Sequence, residues 1–260
     1  MNELANFKNR FSEYVRPYCG SADEEVRRNS ILKEEHTYRV CGNTVRIAEA
    51  LSLNGRNIFL AETAALFHDI GRFEQFRKYR TFNDSASINH GALGVEILKK
   101  EGILRDLPEK EQDCIVGAVR FHNARSAPAL SRPDALLILK LLRDSDKLDA
   151  WRTCVDFYEM PSEERPVILG FGLPDVPEYS KPVLDAFFAG KTAMYSDIRS
   201  LSDFKLLKLA WVYDMNFKPT LRLLTEMGLV ERIFKVLPDA PETPEIKAHL
   251  MDYIEERLKD

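Results

Sequence analysis

Apolar residues recur at three- and four-residue intervals along most of the chain, and this spacing predicts a series of helices. The predicted helices cover approximately residues 3–17, 21–53, 61–71, 88–98, 108–122, 135–148, 181–189, 203–215, 218–227 and 244–258. Only a few residues near Val167 to Leu169 show the alternation of a strand. The predicted fold class is therefore all-α, with an irregular, proline-containing stretch between residues 160 and 180.

Four of the five histidines fall on the apolar faces of predicted helices. They are His36, His68, His90 and His122. Asp69 follows directly after one of them, and Asp146 shares a helix face with Leu139 and Leu142, whereas Asp144 projects to the opposite side of the same helix. The pattern therefore predicts four histidines and two carboxylates that are directed toward the core.

The pair His68-Asp69 lies in an alanine-rich run that begins at Ala61. Alanine is the strongest helix former and glycine often follows the last helical residue, so the run predicts a helix that ends near Gly71. For this pair alone, a core histidine satisfied by a hydrogen bond is the commoner explanation. Extended to the whole set, that alternative is a group of core histidines bonded to backbone carbonyls.

Six buried polar or ionisable groups need partners, because each unsatisfied group costs about 1–3 kcal/mol. A bound cation removes this cost, since neutral imidazoles and carboxylates become its ligands. The set contains no cysteine, and nitrogen and oxygen ligands favour Mn, Fe, Co, Ni or Zn over a purely structural zinc site. The sequence therefore predicts a site for a divalent transition-metal ion.

Composition narrows the range of partners and compartments. The 260 residues are 45% hydrophobic and carry a net charge of −4, so the chain can bury a sizeable core and has no basic excess for a nucleic-acid duplex or a membrane surface. Its four cysteines form no CxxC pair, and the first residues lack a basic flank followed by an apolar run. These features predict a reduced, cytoplasmic protein. The predicted organisation is a single all-α domain, 1–260, with a metal-binding core at 22–155 and a loop and helical extension at 156–260 packed on that core.

The order of these residues resembles the HD superfamily of metal-dependent phosphohydrolases, an all-helical family named for its His-Asp pair. The likeness spans roughly residues 30–155 and includes the segment from Asp144 to Ala150. It implies that one ion is held by His36, His68, Asp69 and Asp146. In the two-metal subset of the family, histidines that correspond to His90 and His122 hold a second ion, and the carboxylate that corresponds to Asp69 bridges the pair. The resemblance thus implies one or two divalent ions.

Arg72 stands three residues after Asp69, where the HD-GYP cyclic-dinucleotide phosphodiesterases and the myo-inositol oxygenase branch carry a lysine. The resemblance implies a cation that meets a phosphate or another substrate oxygen, so Arg72 and Asp69 are the predicted catalytic residues. A solvated charge at a helix end is the alternative for Arg72. The chain departs from the HD-GYP class in three ways: Phe121 replaces the first residue of a His-His pair, Leu32 replaces a glutamate, and the GYP signature is missing. A cyclic-di-GMP phosphodiesterase is therefore not predicted.

The reaction follows from a two-ion site. Two ions about 3.5–4 Å apart hold a bridging water and lower its pKa, and the resulting hydroxide attacks phosphorus while the ions neutralise the developing charge. The predicted function is hydrolysis of a phosphate mono- or diester of a small molecule or nucleotide. An HD-type diiron oxygenase uses the same ligand set and is one alternative, and a non-catalytic metal or nucleotide sensor is another. The sequence predicts neither the substrate, the native ion nor the oligomeric state.

Overall fold

Every regular element in the described part of the chain is helical. A computed structural model describes residues 3–128, 132–165 and 172–259. In chain order the α-helices are α1 Glu3–Cys19, α2 Glu24–Ala50, α3 Gly55–Phe67, α4 Ile70–Tyr79, α5 His90–Lys100, α6 Glu109–Phe121, α7 Pro133–Glu159, α8 Lys181–Phe188, α9 Leu201–Leu209, α10 Lys218–Glu226, α11 Leu229–Val236 and α12 Thr243–Lys259. The all-α prediction is confirmed, and the strand-like run near Val167 to Leu169 lies outside the described residues. None of the helices described is both long enough and apolar enough to cross a bilayer.

The chain divides into two compact units, Met1–Asp149 and Ala150–Asp260, and the boundary falls inside α7. The sequence pattern ends this helix at Leu148, but the helix continues to Glu159. Residues 149–159 contain no proline or glycine that would interrupt it. The predicted single domain, with an extension packed on the core, stays a prediction.

In the first unit, α1 packs on α2, α3 and α4, and α6 packs on both α3 and α5. Phenylalanines make much of the α1 contact. The ring of Phe11 lies edge-on to the rings of Phe67 and Phe73, with centroids 6.1 and 6.0 Å away, and Phe7 meets Phe67 at 6.2 Å. Such aromatic pairs add about 0.5–1.5 kcal/mol each beyond the burial of their area. This cluster fixes α1 against the corner between α3 and α4.

The His-Asp pair lies in that corner, between two helices. α3 ends at Phe67, His68 caps it, and α4 begins at Ile70. The predicted helix stop at Gly71 is wrong, because Gly71 lies in the first turn of α4 and serves close packing instead. A Cβ at Gly71 would lie 2.3 Å from the carbonyl oxygen of His90 on α5. Only glycine permits this approach of the two helices.

Side-chain caps fix where two helices of the first unit begin. Asp23 accepts a hydrogen bond from the backbone N–H of Val26 at the start of α2, and Asn89 accepts one from that of Ala92 at the start of α5, at 3.0 and 2.9 Å. Caps of this kind stabilise a helix by about 1 kcal/mol. The Asn89 cap matters for the site, because it makes His90 the first residue of α5.

In the second unit, a buried carboxylate joins the starts of two helices. Asp203 on α9 accepts hydrogen bonds from the backbone N–H and the hydroxyl of Ser180, both at 2.7 Å, and from the backbone N–H of Arg199 at 2.9 Å. Ser180 precedes α8, so these bonds position α8 beside α9. α11 is absent from the predicted helices, and it begins after Gly228, whose φ of 64° is readily adopted by glycine.

Candidate metal centre

Separate helices of the first unit bring the six predicted ligands to one place. His36 lies within α2, the His68-Asp69 pair in the corner between α3 and α4, His90 at the start of α5, His122 at the C-cap of α6, and Asp146 within α7. The four histidines and Asp69 are buried, and the side chain of Asp146 is 30% exposed. The cluster therefore forms only when these helices have packed.

The first set of donor atoms consists of Nε2 of His36, Nε2 of His68, Oδ1 of Asp146 and Oδ2 of Asp69. The two nitrogens lie 3.3 Å apart. Asp146 Oδ1 lies 3.2 and 3.8 Å from the nitrogens of His36 and His68, and Asp69 Oδ2 lies 3.7 and 3.6 Å from them. Ligands bonded to a tetrahedral ion at about 2.1 Å are roughly 3.4 Å from one another. The four atoms thus have the spacing of ligands around one ion.

The second set consists of Nε2 of His90, Nε2 of His122 and Oδ1 of Asp69. The nitrogens lie 2.9 Å apart, and Asp69 Oδ1 lies 3.4 Å from His90 and 3.7 Å from His122. Donor atoms of His68, Asp69 and His122 also lie within 4.8 Å of one another, so the two sets are adjacent. Asp69 contributes one oxygen to each set, which is the arrangement of a bridging carboxylate.

Each of the four histidines directs its Nδ1 at an oxygen atom. The distances are 2.6 Å from His36 to Asp149 Oδ2, 2.7 Å from His68 to the carbonyl of Ala65, 2.7 Å from His90 to Asp84 Oδ2, and 2.8 Å from His122 to the carbonyl of Val119. Carbonyl and ionised carboxylate oxygens only accept hydrogen bonds, so in each neutral ring Nδ1 carries the proton and Nε2 presents a lone pair. This is the tautomer that a metal ligand needs.

Facing lone pairs repel unless a positive charge lies between them. Nε2 of His90 and Nε2 of His122 are 2.9 Å apart, and neither carries a proton when the rings are neutral. Burial lowers the pKa of His68 to about 4, and burial together with Arg72 lowers the pKa of His90 to about 3. His68 and His90 are therefore neutral near pH 7. Burial and Lys33 lower the pKa of His36, but the hydrogen bonds with Asp146 and Asp149 raise it above its ordinary value. The facing nitrogens of His90 and His122 fit a cation placed between them.

The carboxylate of Asp69 stays ionised although it is buried. Burial alone would raise its pKa, but Lys33, His68 and Arg72 help to hold that pKa well below its ordinary value. Lys33 Nζ lies 2.8 Å from Oδ2, and Arg72 Nε lies 3.5 Å from Oδ1. An ionised carboxylate is the form that binds a metal ion.

Comparison with known families identifies this part of the chain. The family model for the HD domain matches residues 34–151. This segment is an HD domain. HD domains bind divalent metals, and most members of the family are metal-dependent hydrolases. Neither curated proteins nor solved structures give a significant match to the chain.

The HD domain begins shortly before His36 and ends shortly after Asp146, so it contains all six predicted ligands. Their individual roles stay predictions. On α7, Asp146 Oδ1 faces the first set, as the helical register predicts. Asp144 is fully buried too, so the opposite side of α7 is also part of the core.

Asp149 is a carboxylate that orients a predicted metal ligand, the ring of His36, and the sequence pattern could have identified it. It accepts from His36 and also from Arg39, whose Nε lies 2.7 Å from Asp149 Oδ1. The pKa of Asp149 is lowered, because its bonds with His36 and Arg39 outweigh burial. Asp149 follows Asp146 by three residues and so shares its helix face. That spacing is the signal by which it could have been found.

The other orienting carboxylate, Asp84, lies in the connection between α4 and α5, where no periodic pattern points to it. Besides His90, it accepts from Arg72 NH1 at 3.0 Å and from the side-chain amides of Gln75 and Asn123, each at 2.9 Å. Burial raises its pKa, but the bond with His90 and the charge of Arg72 bring it down to about 2. Asp84 therefore joins the connecting loop to the second set.

The structure corrects the predicted surroundings of Arg72. Its side chain is only 15% exposed, and NH1 donates to Gln75 Oε1, to the carbonyl of Phe82 and to Asp84 Oδ1, at 2.8, 2.6 and 3.0 Å. Arg72 is therefore not a solvated charge at a helix end, because α4 continues beyond it. Its Nε is buried and has no hydrogen-bond partner among the described residues. The N–H of Nε thus remains uncommitted beside the second set.

Proposed function

We propose that the HD domain is a phosphohydrolase that uses two divalent ions to cleave a phosphate mono- or diester of a small molecule or nucleotide. The observation that carries the proposal is the division of the Asp69 carboxylate between the first set and the second set. Each set also contains two histidine Nε2 atoms. Two ion positions that share a carboxylate suit a reaction in which charge builds up on several oxygens of one phosphoryl group.

The bound ions would supply an acidified water and a positive environment for the phosphoryl oxygens. The protein's own groups keep the ligands in place around them. Asp149 and Asp84 hold the rings of His36 and His90 through Nδ1, so these ligands need no reorientation during the reaction. Asp69 serves as an ionised carboxylate that is shared by both positions.

Within this proposal, Arg72 binds the substrate beside the second set. NH1 anchors the guanidinium to Asp84 and to the carbonyl of Phe82. Neither Nε, which lies 3.5 Å from Asp69 Oδ1, nor NH2 makes a hydrogen bond with the described residues. An anchored guanidinium with a free N–H can donate a charge-assisted hydrogen bond to a phosphate oxygen. This geometry supports a substrate contact and does not call for a metal-binding role.

A small phosphorylated substrate is proposed in preference to a nucleic-acid duplex. The net charge of −4 offers little attraction for a long phosphate backbone. A cytoplasmic location belongs to the same proposal, and the free state of all four cysteines supports it.

The proposal is tested by metal analysis combined with two activity assays. Protein purified without oxygen is analysed for metal per chain, then assayed for phosphate release from a panel of esters with Mn²⁺, Co²⁺ or Mg²⁺, and for oxygen uptake. We expect metal-dependent phosphate release without oxygen uptake. Asp69→Ala is the negative control, because a contaminating phosphatase would survive that substitution. Two irons per chain with oxygen uptake would indicate a diiron oxygenase, and bound metal with neither activity would indicate a sensor.

A further inference from the structure

Lys33 lies on α2, one turn before His36, and its ammonium group contacts the metal centre. Nζ lies 2.8 Å from Asp69 Oδ2, and the side chain is 17% exposed. Oδ2 is the atom that Asp69 contributes to the first set. Lys33 therefore occupies one lone-pair direction of the oxygen that an ion in the first set would use.

The cations around the centre differ in their acidic partners. Arg39 is paired with Asp149 at 2.7 Å, whereas Arg72 is paired with Asp84 at 3.0 Å and also lies 3.5 Å from Asp69 Oδ1. Within the described part of the chain, Asp69 is the only carboxylate within 4.0 Å of Lys33 Nζ. Lys33 is thus the cation whose pairing would be disturbed most directly when an ion binds Asp69.

A divalent ion would change the surroundings of Lys33. Its ammonium would then face a second cation across a single oxygen atom, and the two charges repel. The other contact of Lys33 is the ring of Phe82, whose centroid lies 5.2 Å from Nζ. The ammonium would keep an aromatic face to lie against but would lack a counter-ion, which an oxygen of a substrate phosphate could provide.

We propose that Lys33 is an internal counter-ion of the metal centre. It neutralises Asp69 in the metal-free protein, weakens the binding of the ion in the first set, and binds an anionic oxygen of the substrate once that ion is present. The inference rests on the proposed function, since it assigns a phosphate oxygen to the side of the first set. Arg72 would contact the same phosphoryl group from the side of the second set, and the Phe82 ring lies 5.7 Å from its guanidinium carbon.

Lys33→Met tests the proposal, because it keeps the apolar stem and removes the charge. Metal-free protein is titrated calorimetrically with Mn²⁺, and Mn²⁺-loaded protein is titrated with inorganic phosphate, so neither measurement requires turnover. We expect one of the two ions to bind roughly tenfold more tightly in the variant, and phosphate to bind roughly tenfold more weakly. Lys33→Arg should keep phosphate affinity near that of the unmodified protein.

The matched control is Lys78→Met on α4, which makes the same change at an exposed position and should alter neither affinity. If Lys33 had a purely structural role, its replacement would lower the affinities for Mn²⁺ and for phosphate together. Weaker Mn²⁺ binding or unchanged phosphate binding in Lys33→Met therefore overturns the proposal. If circular dichroism shows that this variant is unfolded, Lys33→Gln replaces it with the same expectations. Opposite shifts of the two affinities in a protein that hydrolyses no phosphate ester would support the counter-ion role and reject the proposed function.

Discussion

The two halves of the metal centre have similar donor spacing but different supports. In the first set, His36 and Asp146 lie within α2 and α7, helices of 27 residues each, and His36 is held by Asp149 from α7. In the second set, both histidines lie at helix ends, and His90 is held by Asp84 from the connection between α4 and α5. The first set has four donor atoms and the second has three.

This difference predicts that the first set binds its ion more tightly and that the ion of the second set is more accessible to water and substrate. Three protein donors leave more coordination positions for water or substrate than four do, as in catalytic zinc sites. We therefore expect the ion of the second set to exchange first during dialysis against a chelator.

Asp69→Ala should affect both halves equally, because its two oxygens serve both sets. The expected result is loss of both ions and of all metal-dependent activity. Metal analysis of the folded variant measures it directly. One ion retained per chain would show that one of the sets binds without the bridge.

His36→Ala and His90→Ala should separate the halves. Each substitution removes one Nε2 donor from one set and leaves the donors of the other set in place. Native mass spectrometry should find a single ion per chain in each variant. If either variant loses both ions, the two sets bind as one cooperative unit and the comparison between them fails.

Arg72→Ala should reduce catalysis while both ions still bind at saturating metal. Loss of one donor to a charged transition state costs on the order of 10²-fold in catalytic efficiency. Arg72→Lys should recover part of the loss, since the charge survives and the planar fork does not. Phosphate-release kinetics at several metal concentrations make the measurement, and unchanged kinetics in the alanine variant would assign Arg72 to anchoring Asp84 alone.

Asp84→Ala and Asp149→Ala should each lower the affinity for one ion by about 10–100-fold. This is the usual effect of removing a group that orients a metal-binding histidine. Asp84→Ala should weaken the second ion and also loosen the loop, because Arg72, Gln75 and Asn123 lose the same acceptor. Asp149→Ala should lower only the affinity of the first set for its ion. Calorimetric titration of both variants would contradict the difference between the sets if the same ion weakened in each.

Asp144→Ala should have the smallest effect on metal binding. It removes a fully buried carboxylate and leaves the groups that interact with it unsatisfied, so we expect the free energy of unfolding to fall by about 1–3 kcal/mol, with metal content unchanged. Denaturant titration and metal analysis of this variant and of Asp146→Ala provide the test. Equal metal loss from both would mean that the register of α7 has been misassigned.

Helical periodicity predicted that the histidines and Asp146 share faces with apolar residues, because direction on a helix depends only on spacing. It did not predict that Asp144, on the opposite side of α7, is fully buried. The acceptors of Nδ1 were harder to predict. For His68 and His122 they are the carbonyls of Ala65 and Val119, three residues back, so the alternative of core histidines bonded to backbone carbonyls correctly describes one nitrogen of each ring. For His36 the acceptor is Asp149, which is distant in sequence, and only tertiary packing brings the two together.

The surroundings of Arg72 could not be predicted for a related reason. The sequence pattern suggested a helix that ends near Gly71, whereas the chain turns at His68 and starts a new helix at Ile70. This shift brings Arg72 into a buried hydrogen-bond network with Asp84. The conformation of the loop that carries Asp84 depends on those same contacts, and they leave no periodic trace in the sequence.

Gly71 sets the width of the metal centre without touching an ion. The Cβ of an alanine there would lie 2.3 Å from the carbonyl oxygen of His90, whereas real Cβ contacts essentially never fall below 3.0 Å. α5 would have to move by more than about half an ångström, and it would carry the imidazole of His90 away from Asp69. Metal–ligand distances tolerate only about 0.2 Å. The displacement caused by a single methyl group between the two helices would thus exceed the tolerance of metal coordination, so a residue that supplies no ligand atom limits which sequences can hold the ions.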